Sequence, residues 1–153
     1  MVRVANLDGV RVWAEHAADR LAAEGFRRGG ARAAVIALLG SQRCALTAFD
    51  IEEALRSEGR RGVARASIYR ILEELESLKL VQKLDVGQGI ARYEPLDPSG
   101  DHHHHMVCDR CGDVIPFHDD ELERTIRNVA GRVTFDVAEH EIVLHGACAD
   151  CRR

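Results

Sequence analysis

Aromatic residues are scarce in this 153-residue chain, which has one tryptophan, two tyrosines and four phenylalanines. Apolar runs are short, and none approaches the roughly 20 consecutive apolar residues that a membrane-spanning helix needs. The first ten residues lack the apolar core of a signal peptide, and the sequence has no internal repeat or low-complexity tract. These absences predict a globular chain of one or two small domains, with no membrane partner. The unpaired Cys44 and the metal-type cysteine pairs indicate a reducing cytoplasm.

Charge is distributed unevenly along the chain. The net charge of −4 argues against a uniform nucleic-acid-binding coat. Residues 1–96 hold 15 Lys and Arg against 13 Asp and Glu, whereas residues 97–153 hold 6 against 12. The first segment is therefore net basic and the second strongly acidic, which predicts that the two carry different functions.

Two Cys-x-x-Cys pairs lie in the acidic segment, Cys108 with Cys111 and Cys148 with Cys151. Each pair places two thiolates at the distance that one zinc ion needs, and two pairs complete a tetrahedral site. Gly112 is suited to letting backbone amides approach the sulfurs. A redox pair and disulfides are the alternatives, but nothing in the sequence indicates the oxidising compartment that disulfides require.

Four consecutive histidines precede the first cysteine pair. In a strand through residues 101–107, side chains alternate between the two faces. His102 and His104 then point one way and His103 and His105 the other, so one strand can supply two metal sites. An expression tag is the alternative, but this run is internal, only four residues long and adjacent to the cysteines.

Helical patterns fill the basic segment. Apolar residues recur at helical spacing, and a capping box at residues 47–50 starts one of the helices. We expect four helices, at Val10–Ala23, Ala31–Leu39, Phe49–Ser57 and Ala66–Leu78.

The fourth helix is the candidate for DNA recognition. Its N-terminal end presents polar side chains to solvent, namely Arg65, Ser67, Tyr69 and Arg70. A recognition helix inserts that end into the major groove, where arginine reads guanine. Strands at residues 80–84 and 90–94 follow as a β-hairpin, which completes a winged helix-turn-helix.

Arginines also crowd the turn before the second helix, among them Arg27 and Arg32. Either this is a solvated basic turn, or these side chains contact phosphate or the minor groove.

A hinge at residues 95–101 separates a DNA-binding domain at residues 1–94 from a second domain at residues 102–153. After the histidine strand we expect strands at Val114–Phe117, Val133–Val137 and His140–His145, with a helix at Asp119–Val129. The predicted fold is α+β, with an N-terminal winged helix-turn-helix, an extra first helix and a small C-terminal α/β domain.

These motifs, in this order, resemble the ferric uptake regulator family of bacterial metal-sensing repressors. The resemblance extends from Gly25 to Cys151 and rests on the arginine turn, the segment Ala66-Ser67-Ile68-Tyr69-Arg70, the histidines and both cysteine pairs. It implies a homodimeric, non-enzymatic repressor of metal uptake or homeostasis genes. Its partner would be double-stranded DNA carrying an inverted-repeat operator.

The resemblance also implies three metal sites. Structural zinc (Zn²⁺) is held by Cys108, Cys111, Cys148 and Cys151. A site in the dimerisation domain takes His102, His104, Glu123 and His140. The sensing site takes His103, His105 and Glu94, usually with a histidine whose position falls at Cys44-Ala45. Either Cys44 substitutes for that histidine or the site keeps an open position.

Nitrogen and oxygen ligands suit Fe²⁺ or Mn²⁺ as well as Zn²⁺, whereas a thiolate from Cys44 favours zinc. The zinc-sensing branch commonly has an aspartate and a cysteine where this chain has Gln82 and Leu96. The peroxide-sensing branch has an aspartate at the end of the wing, where this chain has Glu94. It has an acidic residue on the strand after the first cysteine pair, where this chain has Pro116. We therefore expect an iron-responsive regulator, with zinc- and peroxide-responsive regulators as alternatives.

Two other functions would use the same residues. A zinc-dependent hydrolase could employ Glu123 as a base, but the chain lacks the His-Glu-x-x-His motif. A zinc-ribbon scaffold explains the cysteines and leaves the alternating histidines without a role. One zinc per chain would support the scaffold, and two or three metal ions would support a sensor.

Overall fold

The computed structural model describes residues 7–27, 29–42, 45–86, 89–97 and 103–152. The chain divides into two compact units between residues 101 and 102. The N-terminal unit contains α1 (Leu7–Ala23), α2 (Gly30–Ser41), α3 (Ala48–Ser57), α4 (Arg65–Ser77), β1 (Val81–Asp85) and β2 (Ala91–Pro95). The C-terminal unit contains β3 (His104–Cys108), β4 (Val114–Phe117), α5 (Asp120–Arg132) and β5 (Val143–Gly146). None of the helices in the described ranges has both the length and the hydropathy that a membrane-spanning segment needs.

An apolar core holds the N-terminal helices together. Helix α4 buries apolar side chains at helical spacing, and they share one core cluster with residues of α2 and α3 such as Leu39 and Leu55. The buried residues of α4 are Ile68, Ile71, Leu72 and Leu75. Burying one large aliphatic side chain contributes about 1.5–3 kcal/mol. The N-terminal unit is therefore stabilised mainly by apolar burial.

The capping box at the start of α3 is confirmed. The Thr47 hydroxyl accepts a hydrogen bond from the Asp50 backbone N–H at 3.0 Å, and the Asp50 carboxylate accepts one from the Thr47 N–H at 2.8 Å. Two backbone donors that a helix start leaves without helical partners are thereby satisfied. The helix begins at Ala48, one residue earlier than expected.

Strands β1 and β2 form the antiparallel wing, in a register that places Gln82 opposite Glu94. Tyr93 exchanges two backbone hydrogen bonds with Leu46, at 2.8 and 2.9 Å. The indole N–H of Trp13 on α1 donates to the Leu80 carbonyl at 2.9 Å. Strand β2 is thus bonded to the segment before α3, and α1 is bonded to the residue before β1, so the extra first helix belongs to the same unit.

The C-terminal unit is a three-stranded sheet in the order β4-β3-β5. β3 pairs antiparallel with β4 and parallel with β5. A parallel pair needs a crossover connection, and the chain between β4 and β5, which includes α5, provides it. The histidine strand therefore occupies the centre of this sheet. Together the two units confirm the α+β class.

The predicted strand at Val133–Val137 is wrong. Val133 instead ends α5, Thr134 adopts a left-handed φ of 55°, and the Phe135 N–H donates to the Ala130 carbonyl at 2.9 Å. The alternation of apolar and polar residues in this segment is typical of a strand, but here the backbone closes the helix. Val133 and Phe135 are 69% and 67% exposed.

Candidate metal centres and nucleic-acid interface

The four paired cysteines converge in the C-terminal unit. Their Sγ atoms all lie within 4.8 Å of one another, and the Cys111 and Cys148 sulfurs are 3.8 Å apart. A tetrahedral zinc with Zn–S bonds of about 2.3 Å separates its sulfurs by about 3.8 Å. All four thiols are free, so this arrangement is not a pair of disulfides. The donor set and its spacing fit zinc.

Tight backbone turns shape this cysteine cluster. The Gly112 N–H donates to the Cys108 carbonyl at 2.8 Å, and Gly112 adopts a φ of 75°, a conformation that favours glycine. The Cys151 N–H donates to the Cys148 carbonyl at 3.0 Å. Strand pairing places Cys108 opposite Gly146, two residues before Cys148. The parallel β3–β5 pair thus brings the two distant cysteine pairs together.

The thiols of this cluster differ in acidity. Hydrogen bonds from the backbone amides of Cys148 and Cys111 lower the pKa of the Cys108 thiol to about 6. The neighbouring sulfurs, first that of Cys148 and then that of Cys111, raise the pKa of Cys151 to about 12. Thiolates this close together repel one another, so a divalent cation is the partner that allows all four to ionise.

A second cluster joins His104, Glu123 and His140 in the same unit. The Glu123 Oε1 lies 2.7 Å from His104 Nε2 and 3.2 Å from His140 Nε2. Glu123 projects from the first turns of α5 and is 5% exposed, and His104 is fully buried. The three donor atoms lie within 4.8 Å of one another. Two imidazole nitrogens and a carboxylate are a common ligand set for Zn²⁺, Mn²⁺ or Fe²⁺.

The histidines on either side of His104, His103 and His105, lie on the opposite face of the chain from His104. The His103 and His105 rings contact each other, with centroids 4.9 Å apart, whereas the His104 ring contacts Phe117 and His140. Strand alternation therefore sorts the described histidines into two groups, as the sequence predicts.

The remaining expected ligands are distributed as follows. His102 and Cys44 lie outside the described residues. Glu94 is buried on β2 of the N-terminal unit and accepts a hydrogen bond from the Gln82 side-chain amide.

The N-terminal end of α4 presents the expected polar face. Tyr69 is 46% exposed, Arg70 is exposed and Ser67 is half-buried. Arg65 forms an ion pair with Glu52 at 2.5 Å, and its guanidinium lies over the Phe49 ring at 5.2 Å. Tyr69 and Arg70 are thus free to reach a ligand, while Arg65 is partly engaged within the unit.

Arg32 differs from the other arginines of this region. Its Nε and Nη2 atoms lie 3.1 and 2.6 Å from Glu74 Oε2 on α4, while Arg27 is exposed. Glu74 was missed as a functional candidate. Glu74 lies between the buried Ile71 and Leu75. A carboxylate beside an apolar stripe faces neighbouring helices, so this position could have indicated an ion pair with another helix.

A histidine–aspartate pair beside the cysteines was not predicted from the sequence. His145 Nδ1 on β5 lies 3.0 Å from Asp109 Oδ1, within the Cys108–Cys111 turn. The two residues are 36 positions apart, and no local pattern connects them.

Comparison with known proteins agrees with these features. Residues 23–145 match the model of the ferric uptake regulator family. The ferric uptake regulation protein of Neisseria meningitidis is 36% identical over 107 residues, which cover 70% of this chain and 72% of that protein. The Helicobacter pylori ferric uptake regulator, a protein with three functional metal binding sites, shares the fold at a TM-score of 0.82 and 24% identity, over 100% of this chain and 98% of that one. A zinc uptake regulator solved with zinc and DNA matches at a TM-score of 0.59 and 26% identity, over 93% of this chain and 94% of that one. The chain therefore belongs to the ferric uptake regulator family of metal-responsive transcriptional repressors.

Proposed function

We propose that this chain represses transcription as a homodimer whose affinity for DNA is set by a regulatory divalent metal ion. The observation that carries this proposal is the presence, in one chain, of an exposed polar end on α4 and two clusters of metal-ligand side chains. Metal binding shifts the population of DNA-binding-competent dimers by as much as the ion's affinity differs between the two states.

In this proposal Tyr69 and Arg70 contact base edges, and Arg27, Arg65 and Ser67 contact the backbone. Arg70→Ala should weaken operator binding by about 1–3 kcal/mol if the side chain reads a base. The wild-type protein can select its own operator from a random duplex library, and the variant is then titrated against that duplex. Unchanged affinity would assign recognition to another element.

The metal sites are given separate roles. Cys108, Cys111, Cys148 and Cys151 hold structural zinc, and His104, Glu123 and His140, with His102, form a site in the dimerisation domain. Glu94, His103 and His105, with Cys44, sense the regulatory ion.

Single histidine variants test this division. His103→Ala or His105→Ala should abolish metal-activated DNA binding, whereas His104→Ala should mainly lower dimer stability. Identical phenotypes would contradict the assignment of the two strand faces to two sites.

We favour iron as the regulatory metal because Glu94 and the histidines supply oxygen and nitrogen, and because Gln82 and Leu96 replace residues typical of zinc sensors. Tight zinc binding in vitro decides nothing, since zinc outcompetes iron at most such sites. The test is in the cell, with the selected operator driving a reporter. Derepression on iron depletion supports iron as the regulatory metal. Derepression on zinc depletion alone assigns zinc, and Cys44→Ala is then tested for loss of sensing. Derepression by peroxide at constant metal assigns the peroxide-responsive alternative.

An exposed apolar row supports the homodimer. Met106 on β3 pairs with Ile115 on β4 and Leu144 on β5, and all three side chains are exposed. We place the partner chain against this row, because contiguous exposed apolar side chains mark interaction surfaces. Met106→Asp should therefore give monomers in light scattering while zinc content is retained. Val12→Asp, at an exposed apolar position of the N-terminal unit, is the control.

We further propose that the chain acts in the cytoplasm and has no catalytic activity. Thiols that hold zinc remain reduced in that compartment. The Glu123 carboxylate contacts the ring nitrogens of two histidines. This environment is more typical of a metal ligand than of a general base.

A further inference from the structure

Arg32 is surrounded by partners within the N-terminal unit. Two guanidinium nitrogens bind Glu74, Nη1 donates to the Arg27 carbonyl, and the group lies 5.3 Å from the centre of the Phe26 ring. The side chains of Arg32 and Glu74 are each only 18% exposed. The charge and most of the donors of Arg32 are therefore used inside the fold.

These contacts connect three parts of the DNA-binding unit. Arg32 belongs to the first turn of α2, Glu74 to the C-terminal half of α4, and Arg27 to the turn between α1 and α2. Nε and Nη2 both donate to the same oxygen of Glu74, so the planar edge of the guanidinium is directed at that oxygen and the side chain has little freedom to rotate. The contacts therefore constrain both the direction of α4 and the backbone that carries the exposed Arg27 side chain.

We infer that Arg32 and Glu74 are a positioning pair for DNA binding, and that Arg32 does not itself contact DNA. The pair holds α4 and the Arg27 turn against α2, so that Tyr69, Arg70 and Arg27 reach the duplex together. This inference rests on the proposed role of α4 in recognition. It assigns to Arg32 a function different from the DNA contact that its position in a basic turn suggests.

Removal of Glu74 separates the two roles because they predict opposite effects. If Arg32 bound a phosphate, Glu74→Ala would release the guanidinium and remove a negative charge, so DNA affinity would stay the same or rise. If the pair positions α4, Glu74→Ala should weaken DNA binding as Arg32→Ala does. Salt dependence adds a second criterion, since each lost phosphate contact lowers the slope of log K against log salt by about 0.9.

The experiment titrates the metal-loaded full chain against the duplex that the wild-type protein selects. We expect Arg32→Ala and Glu74→Ala each to raise Kd about three- to tenfold, and the double variant to raise it no more than the larger single effect. The salt slope should remain that of the wild type. Arg32→Lys should not restore affinity, because lysine keeps the charge but not the paired geometry. Glu76→Ala removes an exposed carboxylate from the same helix and is the matched control for charge.

A spectroscopic measurement distinguishes positioning from general destabilisation. In amide correlation spectra of the free, fully folded proteins, both single variants should move the same α4 resonances, including those of Tyr69 and Arg70, and Glu76→Ala should not. A role in stability alone would leave the native spectrum of α4 in place and lower only the unfolding temperature.

The inference is overturned if Glu74→Ala binds the duplex as tightly as wild type, if Arg32→Ala lowers the salt slope by about one, or if the α4 resonances stay in place. Failure of the proposed function looks different. In that case Arg70→Ala also leaves duplex binding unchanged. That result would show that α4 does not recognise DNA, whether or not Arg32 and Glu74 position it.

Discussion

The two units of this chain use different means to hold a fold. Among the described residues of the N-terminal unit, 20 apolar side chains are buried, from Trp13 on α1 to Tyr93 on β2. Among the described residues of the C-terminal unit, the buried apolar side chains are Val107, Val114 and Phe117, and the buried Cys108 belongs to the cysteine cluster. The only buried residue of α5 is Glu123, whose partners are two histidines.

This difference shows how a short segment can fold with little core. A unit of roughly 50 residues buries too little apolar surface to be stable alone, and small domains of this kind commonly depend on metal ions or on a partner chain. In the C-terminal unit, the cysteine cluster and the cluster of His104, Glu123 and His140 connect the strands and α5, a role that apolar side chains have in the N-terminal unit. We therefore expect the two units to respond to different perturbations.

The largest expected effect is the loss of the cysteine cluster. Cys108→Ser should release zinc and unfold the C-terminal unit, because structural zinc contributes on the order of 10 kcal/mol to small zinc-dependent folds. Trp13, the only tryptophan and a core residue of the N-terminal unit, should keep its native fluorescence. Cobalt substitution, whose thiolate absorption bands report the cysteine site, measures the C-terminal unit. A zinc-free variant that remains a folded dimer would contradict this expectation.

A cavity in the apolar core should lower the stability of the N-terminal unit only. Leu72 is fully buried on α4, and Leu72→Ala should lower the free energy of unfolding by about 2–5 kcal/mol. Trp13 fluorescence in denaturant measures this loss, and the cobalt bands should be unchanged. Val12→Ala, at an exposed position, is the control. Parallel loss of both signals would mean that the units are energetically coupled.

A smaller effect is expected at the start of α3. Thr47→Ala removes the hydroxyl that accepts the Asp50 N–H, and such a cap contributes about 0.5–2 kcal/mol. The unfolding midpoint seen by Trp13 should fall, and Thr47→Ser should recover most of the loss because it retains the hydroxyl. An equal loss in both variants would show that the methyl group matters more than the cap.

The smallest effect concerns pH at the start of α5. The Leu122 backbone N–H donates to the Asp119 carboxylate at 2.8 Å and lowers the pKa of that carboxyl below its ordinary value. The folded pKa lies below the unfolded one, so this stabilisation is complete above the unfolded pKa of about 3.9 and is lost as pH falls through the folded pKa. Asp119→Asn keeps a capping side chain and should flatten this part of the acid-unfolding curve.

Circular dichroism at matched metal occupancy follows that curve, and Asp136→Asn, which alters an exposed acid outside α5, is the control. If Asp119→Asn and the wild type lose helix in parallel as pH falls, the carboxylate does not stabilise α5.

Local patterns determined much of this protein from the sequence alone. Helical periodicity and the Thr47–Asp50 capping box located the N-terminal helices, because both depend on residues close together in the chain. Strand alternation separated His104 from His103 and His105 for the same reason. The cysteine spacing indicated zinc because each pair is a local turn.

Only the tertiary structure decided which distant residues meet. The parallel pairing of β3 with β5 joins the two cysteine pairs, and the packing of α4 on α2 joins Glu74 to Arg32. Residues 133–137 carry a strand pattern, yet a left-handed Thr134 turns the backbone back onto α5. The first two outcomes depend on pairing and packing between segments far apart in sequence, which spacing along the chain does not encode. At residues 133–137 local hydrogen bonds to the end of α5 replace the strand that the side-chain pattern favours.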